Sequence, residues 1–239
     1  MTKARTKVVA CATVIEEMLP LLPQDVAYEI LDFGLHRTPE KLRSKLQETI
    51  DAASATADTI ILGYGLCAMA VVGLKATACT LVVPRVDDCI AIFLGSPAAY
   101  KQQTGQEPGT YYLTKGWIEV NDTPFAEHAR LVERYGPERA ERMIKLVLKN
   151  YTRLALINTG HYDLERYRDY TRRMAEQFGL RYEEIPGSTA LVKKMLHGPW
   201  DDDFVVAHPG ETISFADFRT TATTTCNLSS LLVANKGTQ

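Results

Sequence analysis

The stretch from Thr59 to Gly95 constrains the fold more than any other part of this sequence. It contains two short, continuously apolar runs, Thr59–Leu62 and Thr80–Val83. Such runs are typical of parallel strands that are buried on both faces. Each run is followed directly by a turn that contains a cysteine, and ligands of open α/β sheets bind beyond the carboxyl ends of the strands. The sequence therefore predicts a parallel sheet with thiols at its ligand-binding edge.

Strand-like and helical segments alternate around this stretch. Lys7–Ala10 is a strand-like run that ends at Cys11, and Ala27–Phe33 is a second one. Thr38, followed by proline and glutamate, is a typical helix start, and it opens an amphipathic helix over Pro39–Ala53. This alternation predicts an α/β, Rossmann-like fold with mostly parallel strands and helices on both faces, in one or two α/β lobes.

Three regions are expected along the chain. Residues 1–124 form an α/β lobe with the cysteines and an aromatic lid, residues 125–218 a second α/β half, and residues 219–239 a flexible tail. The lid is predicted from two aromatic, β-prone runs, Thr110–Thr114 and Trp117–Val120. The alternative is an edge hairpin packed on the core. Strands of the second half are predicted at Arg153–Ile157, Arg181–Ile185 and Phe204–Ala207.

Charge and hydropathy narrow the class of protein. The net charge of −2 gives no general electrostatic attraction to nucleic acid or anionic membranes. No apolar run approaches the roughly 18 residues needed to span a bilayer. The basic N-terminus leads quickly into Glu16 and Glu17, which is a poor signal peptide, so a cytoplasmic protein is expected. In that compartment its five cysteines are expected to be free, catalytic or metal-bound.

Three of these cysteines, Cys11, Cys67 and Cys89, fall at or just after a predicted strand end. If the strands are neighbours, the thiolates converge and are the predicted metal ligands, of zinc or else of iron or an iron–sulfur cluster. The alternative is that they are small packing residues, because their spacing is not a compact CxxC pattern. Cys79 precedes a strand and is expected in the core.

Charged residues near these positions are candidates for catalysis. Glu16, at the start of the first helix, could act as a general base or oxygen ligand, and otherwise as a solvated acid. Arg85 could hold a substrate carboxylate or phosphate, or pair with Asp87. Asp87 and Asp88 directly precede Cys89 and are either ligands or helix caps.

A second set of candidates concerns cofactor binding. Gly63, Tyr64 and Gly65 follow a strand and match the opening of a dinucleotide-binding loop. The third glycine of that motif is replaced by Ala68, so classical NAD binding is not expected. His161 lies at a predicted strand end in the second half and is the other cofactor-binding candidate.

Four segments together resemble a known family: VACATVIEEM, LGYGLCAMAVVGL, VVPRVDDCIAIFLGSPAAYKQQ and GTYYLTKGW. The chain, from about Val8 to Phe218, is similar to an uncharacterised bacterial and archaeal family, the domain of unknown function with number sixteen thirty-eight. Members share the first cysteine, the tyrosine–glycine–x–cysteine turn and the PR-x-x-DC segment, which match Cys11, Tyr64–Cys67 and Pro84–Cys89. Members often carry histidine at Asp87, so Asp87 either serves as an oxygen donor or has lost that role.

The family is often associated with corrinoid-dependent methyl transfer, and the resemblance implies a role in that chemistry. The leading hypothesis is a metal-binding protein, with zinc expected, that acts on a small-molecule substrate as an enzyme or accessory protein, with a corrinoid on a partner protein. One alternative is a metal or cofactor carrier without turnover. Another is a metal-independent enzyme with a cysteine nucleophile. A homodimer is expected only on the general ground that dimers are the commonest oligomers of soluble proteins.

Overall fold

The computed structural model describes residues 5–66 and 69–219, which contain two β-sheets flanked by helices. The strands are β1 (Thr6–Cys11), β2 (Ala27–Leu31), β3 (Thr59–Gly63), β4 (Thr80–Pro84), β5 (Thr110–Leu113), β6 (Arg153–Asn158), β7 (Arg181–Pro186) and β8 (Phe204–Ala207). The helices are α1 (Ala12–Met18), α2 (Pro39–Ala53), α3 (Cys89–Leu94), α4 (Pro97–Gln106), α5 (Lys115–Val120), α6 (Pro124–Tyr135), α7 (Pro137–Leu148), α8 (Glu165–Phe178) and α9 (Ala190–His197). The predicted tail lies outside the described residues from position 220 onward.

The larger sheet has the strand order β2-β1-β3-β4-β8. The first four strands are parallel, and β8 is antiparallel to β4. The central strands are buried on both faces, since Val8 and Val9 on β1 and Ile60 and Ile61 on β3 have no exposed surface. The predicted mostly parallel α/β fold is confirmed, because continuous apolar runs can satisfy both faces only in a covered parallel sheet.

The smaller sheet has the order β5-β6-β7, and all its pairs are parallel. Its edge strand β5 comes from the aromatic segment that the sequence analysis assigns to the first half. The last strand, β8, returns to the larger sheet. The two sheets therefore exchange strands across the expected boundary at residue 124.

One local prediction is wrong. Trp117–Val120 is not a strand but part of α5, where the Thr114 hydroxyl accepts a hydrogen bond from the Trp117 N–H and caps the helix. Capping and tertiary packing override the β propensity of these side chains. After β3, residues 70–73 form turns, and they are followed by an isolated bridge between Lys75 and Thr212.

The sheets share a hydrophobic core. The cluster built on β1, β3 and β4 also contains Tyr112, Ala155, Ile157 and Ile185 from the smaller sheet. A second cluster lies under α6, α7 and α8. Within the described residues, no helix combines the length and the apolar character needed to cross a bilayer. The shared core fixes the surface between the two sheets, where the candidate site lies.

Candidate functional site

The carboxyl ends of β1, β3 and β4 lie side by side, because the three strands are adjacent and parallel. The turns after β3 and β4 touch each other: the Leu66 N–H donates a 2.9 Å hydrogen bond to the Val86 carbonyl. Cys11 is the last residue of β1, whereas Cys89 is the first residue of α3 and follows the turn after β4. Cys67 follows Leu66 but lies outside the described residues.

Cys11 is almost completely buried, with 2% of its surface exposed. Its Sγ lies 3.2 Å from the Thr13 hydroxyl. Burial raises the pKa of the Cys11 thiol, and the hydrogen bond with Thr13 only partly offsets this effect. Cys11 therefore favours its neutral form at neutral pH, which makes it a weak nucleophile unless a cation stabilises the thiolate. Cys79, as predicted, is a buried core residue.

The described residues alone do not form a metal site, because they contain no group of three histidine, cysteine, aspartate or glutamate residues placed to hold an ion. Cys11 and Cys89 would need Cys67 to complete the predicted set of three ligands. That set stays a prediction, since Cys67 is not described.

A pocket of about 480 Å³ lies where the end of the β4 turn meets β5, α4 and α5. We call it the aromatic pocket because six of its lining residues are Phe, Tyr or Trp. Its walls are formed by Phe33, His36, Asp88, Cys89, Ile90, Tyr100, Thr104, Pro108, Thr110, Tyr111, Tyr112, Trp117 and Tyr151. It lies beyond the carboxyl end of β4, which is where α/β sheets bind ligands.

Asp88 is the acidic residue of the aromatic pocket. One carboxylate oxygen caps α3 by accepting from the Ile90 N–H at 2.9 Å, and the other accepts from the Tyr100 hydroxyl at 3.0 Å. Burial raises the pKa of Asp88, and these two hydrogen bonds counteract the shift. Asp87 and Asp88 are both candidates from the sequence, and the structure places Asp88 in this pocket and Asp87 in the neighbouring groove.

His36 was given no role by the sequence, and the structure places it in the pocket wall. Its ring stacks on Phe33 at 4.8 Å and on Tyr64 at 5.9 Å between centroids. Its Nδ1 lies 2.9 Å from the Phe33 carbonyl oxygen. Burial lowers the pKa of His36, so the ring is neutral near pH 7. No local sequence pattern identifies His36, because its place in the pocket wall arises only when segments distant in the sequence pack together.

The predicted catalytic residues lie elsewhere among the described residues. Arg85 and Asp87 line a neighbouring groove of about 420 Å³, and Arg85 donates a 3.0 Å hydrogen bond to the Phe204 carbonyl. Tyr100 lines both this groove and the aromatic pocket. Glu16 forms an ion pair with Lys115 and does not line the pocket. Catalytic roles for these three residues stay predictions.

Close packing explains the two glycines of the predicted cofactor loop. A Cβ atom on Gly63 would lie 2.6 Å from the Ala10 Cβ on the neighbouring strand. A Cβ on Gly65 would lie 2.7 Å from the Val86 carbonyl oxygen. Close packing alone is therefore enough to require glycine at both positions, and a bound phosphate is not needed to explain them. Tyr64 between them is buried. Cofactor binding by Gly63, Tyr64 and Gly65 stays a prediction.

A buried carboxylate links α1 to the turn after β6. Glu17 is 1% exposed and accepts hydrogen bonds from the Thr159 hydroxyl, at 2.6 Å, and from the Tyr162 hydroxyl. His161 lies in the same turn, and its buried Nε2 has no hydrogen-bond partner among the described residues. The sequence pattern indicates His161 but not Glu17, because a glutamate on a short helix gives no local sign of burial.

Glu17 is expected to make the stability of the protein depend on pH. Burial raises its pKa above the ordinary value of 4.5, with the Thr159 and Tyr162 hydrogen bonds opposing. The corresponding stabilisation is complete below the unfolded-state pKa and is lost as the pH rises through the folded-state pKa. In urea unfolding between about pH 4 and 8, the stability of the natural protein relative to Glu17→Gln should fall with rising pH. The exposed variant Glu48→Gln is the control, and a relative stability that rises with pH would contradict this account.

Comparison with protein families finds a match to the family described as "Protein of unknown function (DUF1638)" over residues 30–196, which is more than half of the chain. No curated protein and no solved structure matches. The match starts within β2 and excludes β1 and Cys11, so it is narrower than the resemblance expected from the sequence.

Proposed function

Because the chain belongs to the DUF1638 family of proteins of unknown function, its activity must be inferred from its own site, and we propose that it binds a small organic molecule in the aromatic pocket. The observation that carries this proposal is the placement of the Asp88 carboxylate and the Cys89 side chain in the wall of that pocket. Both residues follow β4 at the sheet edge where α/β proteins place their ligands.

The size and lining of the pocket support a small-molecule ligand. Its volume of about 480 Å³ falls within the range of ligand sites, roughly 300–1,000 Å³. Apolar and aromatic walls with a few polar groups are also typical of such sites. A larger space of about 700 Å³ lies along β2 and α2, but it is lined mainly by polar and charged residues at the edge of the sheet. The aromatic pocket is therefore the better candidate.

Cys89 and Cys11 differ in the chemistry that their thiols can perform. Cys89 is 8% exposed and could act on a bound molecule as a nucleophile or hold a metal. Cys11 is less suited to metal-free nucleophilic catalysis, because its burial favours the neutral thiol. In a cysteine enzyme without metal, Cys89 would thus be the nucleophile and Asp88 would orient the ligand.

Filling the aromatic pocket tests the proposal. Thr104 lines the pocket from α4, and its hydroxyl bonds only to carbonyl groups of that helix, so Thr104→Trp should fill the space and abolish binding. Gln102→Trp, at an exposed position on the same helix, is the matched control. A collection of small organic molecules is screened by ligand-observed NMR. Molecules that bind both variants equally, or no binding at all to the natural protein, would contradict the proposal.

A second proposal is a thiolate-bound metal that serves methyl transfer. It is supported by the adjacent carboxyl ends of β1, β3 and β4. In the sequence, Cys11, Cys67 and Cys89 lie at these strand ends or within a few residues of them. Zinc bound by thiolates acts as a Lewis acid and lowers the pKa of a bound thiol or other acceptor. The aromatic pocket would hold the small-molecule substrate beside Cys89, and a corrinoid on a partner protein would complete the system. A carrier without turnover would use the same residues.

Metal analysis of protein purified without oxygen tests this second proposal. We expect about one zinc per chain in the natural protein and in Cys79→Ser, and loss of the metal in Cys67→Ser and Cys89→Ser. Cys79 is the matched control because it lies at the other end of β4. Metal-free natural protein, or equal loss in all three variants, would overturn the metal site. Turnover with a methyl donor and a corrinoid then separates an enzyme from a carrier.

A further inference from the structure

We propose that the ligand of the aromatic pocket is an organic cation with a methylated ammonium group. This inference rests on the proposed small-molecule function of the same pocket and adds the chemical class of its ligand. It follows from three properties of the pocket: the sign of its charge, the absence among the described lining residues of a cation beside its partly buried carboxylate, and the arrangement of its rings.

The charge of the lining is negative. In the described part of the chain, Asp88 is the acid that lines the pocket, and no lysine or arginine lines it. His36 adds no positive charge near pH 7, because burial favours its neutral form. An anionic ligand would therefore meet a like charge with no compensating group, whereas a cation would meet its complement.

The Asp88 carboxylate is partly desolvated and has only neutral partners among the described residues. These partners are the Ile90 N–H and the Tyr100 hydroxyl. A carboxylate that has lost water without gaining a cation is destabilised in its charged form. A bound cation would provide the missing compensation.

The buried guanidinium that bonds to the lining residue Thr110 is already neutralised. Arg153 donates to the Thr110 hydroxyl at 2.8 Å, but it also pairs with Glu183 at 3.1 Å. It is 3% exposed and does not line the pocket. The charge of Arg153 is thus balanced within the protein and does not change the negative charge of the pocket lining.

The aromatic walls favour a cation for a separate reason. The rings of Tyr100 and Tyr112 lie 6.2 Å apart at 73°, and those of Phe33 and Trp117 lie 5.2 Å apart at 75°. In such near-perpendicular pairs, the rings form walls that meet at an angle, as in the aromatic cages that bind quaternary ammonium groups. The faces of aromatic rings carry negative partial charge and attract cations.

Methylation of the cation fits a pocket whose acid is Asp88 and whose walls are mainly aromatic. A primary ammonium would bring three N–H donors into a pocket in which the Asp88 carboxylate already accepts two hydrogen bonds. A methylated nitrogen has fewer donors to satisfy, and its methyl groups can contact ring faces directly. The charge is then balanced by Asp88 without unpaired N–H groups.

Calorimetry with choline and its neutral carbon isostere, 3,3-dimethyl-1-butanol, tests the inference. The two probes have almost the same shape and differ in charge. We expect choline to bind the natural protein at least about tenfold more tightly. Asp88→Asn should abolish this preference while retaining the fold, because asparagine caps a helix as well as aspartate and still accepts from Tyr100. Asp202→Asn, which removes a charge from an exposed position, should retain the preference.

The outcomes separate this inference from the proposed function. Equal binding of the two probes, or a preference for choline that survives Asp88→Asn, would overturn the cation and leave a small-molecule site. If neither probe binds, but other small molecules bind the natural protein and do not bind Thr104→Trp, the cation is again overturned and the small-molecule site is left. If no molecule occupies the pocket, both proposals fall. Charge-dependent binding of choline that is lost in both Asp88→Asn and Thr104→Trp would support both.

Discussion

Replacing Arg153 with alanine should lower the free energy of unfolding by about 2–4 kcal/mol, because it removes a buried guanidinium that donates hydrogen bonds to three partners. Arg153 lies on β6, the central strand of the smaller sheet, and is 3% exposed. Its guanidinium donates to Thr110 at 2.8 Å, Gln103 at 3.0 Å and Glu183 at 3.1 Å. One side chain therefore joins β5, α4 and β7 to β6.

Two variants separate burial from charge in this prediction. Arg181 also pairs with Glu183, at 2.6 Å, but its side chain is 52% exposed. Arg181→Ala should therefore cost no more than about 1 kcal/mol. Arg153→Lys keeps the charge but not the planar set of donors, so an intermediate loss is expected. Urea unfolding measures all three, and equal losses for Arg153→Ala and Arg181→Ala would contradict the structural role of Arg153.

The Gly65→Ala variant should be destabilised by about 1–3 kcal/mol, because the added methyl group has no space. Its Cβ would lie 2.7 Å from the Val86 carbonyl oxygen and 3.1 Å from the Asp88 nitrogen. Backbone atoms cannot move aside as a flexible side chain can, so the turns after β3 and β4 would separate. Since Asp88 and Cys89 lie at the end of the turn after β4, ligand binding in the aromatic pocket should weaken as well.

Gly105 provides the matched control for this substitution. It lies in α4, and nothing lies within 4 Å of the position of its Cβ. Gly105→Ala should therefore stabilise the protein by about 0.5–1 kcal/mol, since alanine has the better helix propensity. Thermal unfolding of the two variants compares them directly. An unchanged stability of Gly65→Ala would show that the two turns are not held together by this contact.

The local patterns of the chain predicted much of the fold. The apolar runs at β3 and β4 predicted buried strands, and Thr38 followed by Pro39 predicted the start of α2; all three are confirmed. These predictions succeed because burial on both faces and helix initiation are encoded by neighbouring residues. The predicted strand at Trp117–Val120 is wrong for the opposite reason, since its conformation is set by the Thr114 cap and by packing against distant elements.

The candidate site was predicted only in part. The sequence located the sheet edge, Cys89 and the acidic pair before it, because these follow a recognisable strand. It could not choose Asp88 over Asp87 as the residue in the pocket, nor bring His36 beside Phe33 and Tyr64. Those choices depend on which direction each side chain faces after the strands and helices pack.

By itself, the sequence determined the α/β class and the parallel character of the central strands, and it predicted the sheet edge at which the candidate site lies. Only the tertiary structure decided that β5 joins the second sheet, that β8 returns to the first, and that aromatic rings from both halves enclose Asp88. The physical reason is that hydrophobic periodicity fixes which residues are buried, whereas strand partners and pocket walls arise from contacts between residues far apart in the chain.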